Sequence, residues 1–193
     1  QRPGILIQGA SASGSIIEDV TVVNAQTGIL VSAAVAELRN VTIASCVLQA
    51  GTGIGAGLRV QGAEVLYRGG EILGCTASTA GGGALVEEQG VLVMQDTVMQ
   101  LNQAVFGGGV YVQNGYLEMH GCELMQNGAI GAFARGGAIC VEGAWSAASF
   151  TDCQFIDNQA VPGATLGGAI YTSENAGGVS LQGCFMALNQ AST

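Results

Sequence analysis

One short apolar pattern recurs seven times along this chain, and it restricts the fold more than any other feature of the sequence. It returns as Ile5-Leu6-Ile7, Ile29-Leu30-Val31, Leu58-Arg59-Val60, Ala84-Leu85-Val86, Val110-Tyr111-Val112, Ile139-Cys140-Val141 and Ile170-Tyr171-Thr172. Successive copies lie 24, 29, 26, 26, 29 and 31 residues apart. A repeat of this length is one small unit that cannot bury its apolar face alone, so neighbouring copies must stack.

A nine-residue block follows each triplet: Ile17–Ala25, Leu38–Cys46, Tyr67–Cys75, Met94–Asn102, Met119–Asn127, Phe150–Asn158 and Leu181–Asn189. The first column (Ile17, Leu38, Tyr67, Met94, Met119, Phe150, Leu181) and the sixth (Val22, Ile43, Ile72, Met99, Leu124, Phe155, Met186) are apolar throughout. The third contains only Asp, Asn and Gly, which tolerate a left-handed turn. The ninth runs Ala25, Cys46, Cys75 and then Asn102, Asn127, Asn158, Asn189. Apolar positions two apart share one face of a strand, and helical spacing is missing. The expected fold is all-β, a parallel β-helix (solenoid) of about seven rungs with three short strands per rung. Its body would be roughly 34 Å long at about 4.8 Å per rung. A shift of one residue at Gly82–Leu85 would turn Glu87 into the core as an unpaired charge, so Ala84 and Val86 are placed inside. Residues 1–193 read as a single domain, a stretch of a longer solenoid with uncapped ends.

Composition narrows the partners. The 32 glycines and only 2 prolines, in a chain 49% hydrophobic, fit tight turns between short strands. There are five Arg, no Lys and 14 acidic residues, a net charge of −9. That balance argues against nucleic acid and anionic membranes, which need basic patches. No apolar run is long enough for direct membrane insertion.

The repeat resembles those of the chlamydial polymorphic outer-membrane proteins (Pmp), which pair Gly-Gly-Ala-[Ile/Leu/Val] with Phe-x-x-Asn. Gly-Gly-Ala-Ile stands at 136–139 and 167–170, Gly-Gly-Ala-Leu at 82–85, and Phe-x-x-Asn at 155–158. Elsewhere Met99, Leu124 and Met186 replace the Phe while the Asn is kept, and the first three rungs resemble generic β-helix repeats. The resemblance implies a right-handed β-helix with an adhesive or structural role at a cell surface.

Few residues suggest chemistry. Asn102, Asn127, Asn158 and Asn189 are expected to form a ladder of side-chain amides. Cys46 and Cys75 fall in adjacent rungs, near enough for a disulfide, or stand as two buried thiols. Cys122, Cys153 and Cys184 share one inward column as core residues; sulfurs in a line suit no tetrahedral metal, and no cofactor is expected. Asn40-Val41-Thr42 is the single N-glycosylation sequon, at a turn. His120-Gly121 matches the His-Gly of polygalacturonases, which share the β-helix fold, without the rest of their pattern, and a solvated histidine is expected. Asp96 and Asp152 lie two rungs apart, about 10 Å, in a turn column; that separation is too wide for the closer carboxylate spacings glycosidases use. The middle residues of the triplets, Leu6, Leu30, Arg59, Leu85, Tyr111, Cys140 and Tyr171, point outward. They form either an exposed interaction stripe, centred on Leu85, Tyr111, Cys140 and Tyr171, or a surface closed by loops such as 127–136 or 142–149.

The functional expectation is a non-enzymatic scaffold, adhesin or filament component, extracellular or at the cell surface, contacting other protein subunits or surface glycans and bearing an N-glycan. The competing expectation is a polysaccharide lyase or glycoside hydrolase, or a carbohydrate-binding β-helix. A third is a spacer in a larger intracellular machine, with Cys46 and Cys75 as free thiols.

Overall fold

The computed structural model describes residues 2–48, 53–163 and 165–192, and it is a parallel β-solenoid. The seven triplets lie in one seven-stranded parallel sheet: Pro3–Gln8, Thr27–Ser32, Leu58–Gln61, Ala84–Glu87, Val110–Gln113, Ile139–Glu142 and Ile170–Thr172. Register follows the repeat. Ala84 pairs with Val110 and Val86 with Val112, and both are inside; Glu87 is buried as well, but as the ion-pair partner of Arg59 rather than as an unpaired charge.

A second sheet, of 12 strands, carries the nine-residue blocks. Its two legs run as one strand in Val35–Ala44 and Glu64–Leu73, and as separate strands in later rungs, such as Val91–Gln95 with Val98–Gln100. The structure adds a fourth short strand to each later rung. Thr76–Ala77, Gln103–Ala104, Gly128–Ile130, Gln159–Val161 and Gln190–Ala191 follow the ninth column and form a third sheet with Val47–Leu48. Their alternation is only two or three residues long, too short to register as a period in the sequence.

Two corners turn every rung, and both use left-handed backbone. Asp19, Asn40, Asp96 and Asp152 at the first have φ of 54, 48, 50 and 53°. The second holds Ser45, Leu101, Gln126 and Asp157 at 52, 58, 54 and 54°. Between them the first and sixth columns meet in the core, where Leu38, Tyr67, Met94, Met119, Phe150 and Ile43, Ile72, Met99, Leu124, Phe155 are fully buried. Phe150 and Phe155 pack edge-to-face at 5.4 Å. Tyr67 is the polar exception, and its hydroxyl donates to the Val41 carbonyl at 2.6 Å.

The asparagines follow the second corner and satisfy what it leaves open. Asn127 Oδ1 accepts from the Asn102 backbone N–H (3.1 Å) and from Asn102 Nδ2 (3.0 Å). Asn127 Nδ2 donates to the Met99 carbonyl (2.9 Å) and to Asn158 Oδ1 (3.1 Å). Asn158 repeats the pattern with Leu124 and Asn189, and Asn102 with Ile72 and the Cys75 N–H. Each full member is buried with its amide fully used. Replacing Asn127 by Ala strands the Asn102 N–H and the Met99 carbonyl together. We expect Asn127→Ala to destabilise the fold by about 2–4 kcal/mol in urea unfolding; a loss below about 1 kcal/mol would show that the corner finds other partners.

Candidate functional site

The proposed interaction stripe forms in register, Leu30 on Arg59, Arg59 on Leu85, Leu85 on Tyr111, Tyr111 on Cys140 and Cys140 on Tyr171. It points away from the main core. It is nevertheless not a surface: Leu85 is 1% exposed, Tyr111 7% and Cys140 0%, with Tyr171 half-buried. Of the two alternatives, an exposed stripe or a surface closed by neighbouring segments, closure holds at Leu85, Tyr111 and Cys140 and partly at Tyr171. Ile54, Ala80, Phe106, Arg135 and Leu166 stack as a further parallel column and close over it. Ala80, Leu85, Tyr111 and Cys140 form a second small core, with Ile54, Phe106 and Tyr171 packed against it.

Glycine makes that cover. Gly81, Gly107, Gly136 and Gly167 have φ of 64, 59, 63 and 67°. A Cβ at these positions would lie 2.5, 2.1, 1.9 and 2.2 Å from the carbonyl oxygens of Ala84, Val110, Ile139 and Ile170. Only glycine turns the chain so tightly back onto its own strand. Every cover residue stands one place before its glycine, a regularity readable in the sequence that the search for strand markers passed over. Of the two loops considered as lids, 127–136 contributes Arg135, whereas Trp145 in 142–149 is 81% exposed.

Charge pairs pin the cover. Arg135 Nη1 donates to Glu142 Oε1 at 2.7 Å, and the Tyr111 hydroxyl donates to Glu142 Oε2 at 2.9 Å. The Arg135 guanidinium lies 5.8 Å from the Phe106 ring centroid and 5.1 Å from that of Tyr171, within cation–π range of both. Burial and the neighbouring Glu142 raise the Tyr111 hydroxyl pKa, and burial does the same to the Cys140 thiol. Nearer the N-terminus Arg59 Nε donates to Glu87 Oε1 at 2.6 Å, and Gln61 to Glu88 at 2.9 Å.

The remaining sequence candidates lie apart. His120 pairs with Glu118 at 2.7 Å on the second sheet. The Asp96 carboxylate leans into the space over Gly121, where an added Cβ would meet Oδ1 at 2.6 Å, and Asp152 does the same over Gly183. The two acids thus serve successive corners and do not face one another. Asn40 is exposed, and its Nδ2 donates to Asp19 Oδ1 at 2.7 Å. Among the described residues no group of three His, Cys, Asp or Glu converges on a metal-sized point.

All six cysteines are free thiols, so the Cys46–Cys75 bridge is not formed. Cys46 Sγ lies 3.6 Å from the Ala44 carbonyl oxygen and Cys75 Sγ 3.6 Å from that of Leu73, and the neighbouring Cys46 thiol together with burial raises the Cys75 thiol pKa. Cys122 and Cys153 stand in the same relation, with Cys122 Sγ 3.3 Å from the His120 carbonyl oxygen and Cys153 Sγ 3.4 Å from that of Met119.

A family model describing a right-handed beta helix region matches residues 3–186. No curated protein and no solved structure matches the chain. Because Tyr111 is walled in beside Glu142, Tyr111→Phe should lower stability by about 1 kcal/mol. Tyr111→Glu should remove more than about 3 kcal/mol, read as a shifted urea midpoint. Tolerance of the glutamate would mean that the cover opens freely.

Proposed function

The chain belongs to the right-handed β-helix family, and on that footing we propose that it is a non-catalytic structural and binding rod of an extracellular or cell-surface assembly. The observation that carries this reading is where the acidic side chains go. Glu87 serves Arg59, Glu142 serves Arg135 and Tyr111, Glu37 serves Arg39 and Arg68, and Glu118 serves His120. The hydrogen bond from Arg39 is the main cause holding the Glu37 carboxyl below its usual range. Glycoside hydrolysis needs two carboxyls flanking one bond, one of them available as an acid. Here the charged groups hold strands and cover together, and Asp96 and Asp152 shape corners.

The location rests on independent support. The Gly-Gly-Ala and Asn pattern resembles repeats of chlamydial polymorphic outer-membrane proteins, the charge is −9 without a lysine, and the sequon asparagine Asn40 stands exposed at a corner. Among the described residues no helix is long and apolar enough to cross a membrane. Contacts with protein subunits or glycans then fall to the exposed faces of the second and third sheets, because the stripe on the first is closed. Incubated with neutral and acidic polysaccharides, the protein should release no new reducing ends and no unsaturated uronates. Turnover abolished by Asp96→Asn or Asp152→Asn would overturn the non-catalytic reading.

A further inference from the structure

Two Asn-Gly pairs occur in the chain, Asn114-Gly115 and Asn127-Gly128. Such a pair can react with itself. The glycine nitrogen attacks the asparagine side-chain carbonyl carbon, an approach that no Cβ on the glycine hinders. A bond from that nitrogen to Cγ forms, the Cγ–Nδ2 bond breaks and ammonia leaves, which gives a cyclic imide. Water then opens the ring at either carbonyl, yielding aspartate or isoaspartate. In isoaspartate the main chain runs through the side-chain carbons and is longer by one. Water is the sole co-reactant, and nothing is oxidised or reduced.

The fold treats the two pairs differently. At Asn127-Gly128 both reacting groups are held. Asn127 is buried in the ladder, where its Oδ1 accepts from Asn102 and its Nδ2 donates to the Met99 carbonyl and to Asn158. The Gly128 N–H, which must lose its proton to attack, donates to the Asn102 carbonyl at 2.9 Å. Reaction there requires the corner to open first.

At Asn114-Gly115 neither group is held. Asn114 is exposed, and among the described residues neither its side-chain amide nor the Gly115 N–H has a hydrogen-bond partner. The corner nevertheless demands both residues. Asn114 sits at φ 54°, a left-handed conformation that asparagine tolerates. Gly115 is buried, and a Cβ on it would lie 2.9 Å from both the Gly90 carbonyl oxygen and Val86 Cγ1. The turn is thus built from the pair that reacts most readily.

What Asn114 holds gives the reaction a consequence. Its backbone N–H donates to Ser146 Oγ at 2.6 Å, and its carbonyl accepts from the Gln89 N–H at 2.6 Å. The Ser146 hydroxyl in turn donates to the Glu142 carbonyl, and Asn114 Oδ1 fills the space over Gly143, where a Cβ would meet it at 2.5 Å. Asn114 therefore seats both ends of the loop 143–146, whose tip carries Trp145, the chain's single tryptophan, 81% exposed. A main chain one carbon longer cannot keep the N–H on Ser146 and the carbonyl on Gln89 together. We infer that Asn114 is a site of spontaneous deamidation to isoaspartate, and that its conversion releases the loop bearing Trp145. This does not depend on what the rod binds, so its test and that of the binding-rod reading fail separately.

The native protein is incubated in mildly alkaline buffer beside a sample unfolded in urea, and isoaspartate is located by peptide mapping. Native Asn114 should convert at least about tenfold faster than Asn127, whereas in urea the two rates should converge, because only the fold separates them. Asn114→Gln, which would need a larger ring, should resist conversion. The fluorescence anisotropy of Trp145 should fall in step with conversion in the parent and stay constant in Asn114→Gln. Equal native rates, a faster Asn127, or conversion of Asn114 in urea alone overturns the site. Conversion at constant anisotropy overturns the release of the loop.

Discussion

The solenoid depends on how its second corner is hydrogen-bonded. Left-handed backbone at Leu101, Gln126 and Asp157 turns the chain, and the next N–H then points along the stack. That donor is buried, and a buried unpaired donor costs about 1–3 kcal/mol. The asparagine of the following rung accepts it, and the same side chain returns a bond to the rung before. Because each amide serves two rungs, the ladder ties the register of one turn to the next. A slip of one residue would expose every core column at once. Where cysteine stands in place of asparagine, the bonds are weaker: Cys75 Sγ reaches the Leu73 and Ile43 carbonyls only at 3.6 and 3.9 Å.

A second layer decides where function can lie. The glycine before each of the last five triplets folds a cover residue onto the first sheet, and Arg135 with Glu142 holds the cover shut. What looks in the sequence like an apolar docking face is a small core. Under the proposed binding role, contacts fall to the outer faces of the other two sheets, where side chains vary from rung to rung without disturbing the stack.

Much of the fold was legible because the repeat forces it. Two apolar columns and two turn columns, read seven times, leave parallel stacking as the solution that buries both apolar columns. Ala84 and Val86 do lie inside, but the reason read from the sequence, that Glu87 must stay out of the interior, does not hold, since Glu87 is buried beside Arg59. The third sheet was not legible, since pairs such as Gln103–Ala104 are too short to show alternation. Nor was the fate of Tyr111 and Cys140: periodicity separates one side of a strand from the other, but says nothing of what a neighbouring segment lays over it. Between a Cys46–Cys75 bridge and two buried thiols the sequence left the choice open, and the structure holds two buried free thiols.

Native-state hydrogen exchange tests the role of the ladder most directly. If the asparagine amides lock the rungs, the backbone N–H groups of Asn102, Asn127 and Asn158 exchange only through global unfolding. Their rates then match those of Met99 and Leu124, core residues on the adjoining strands, to within about tenfold. Exchange faster than those strand amides by about a hundredfold or more would mean that the corners open on their own, and that the stack is held by its apolar columns alone.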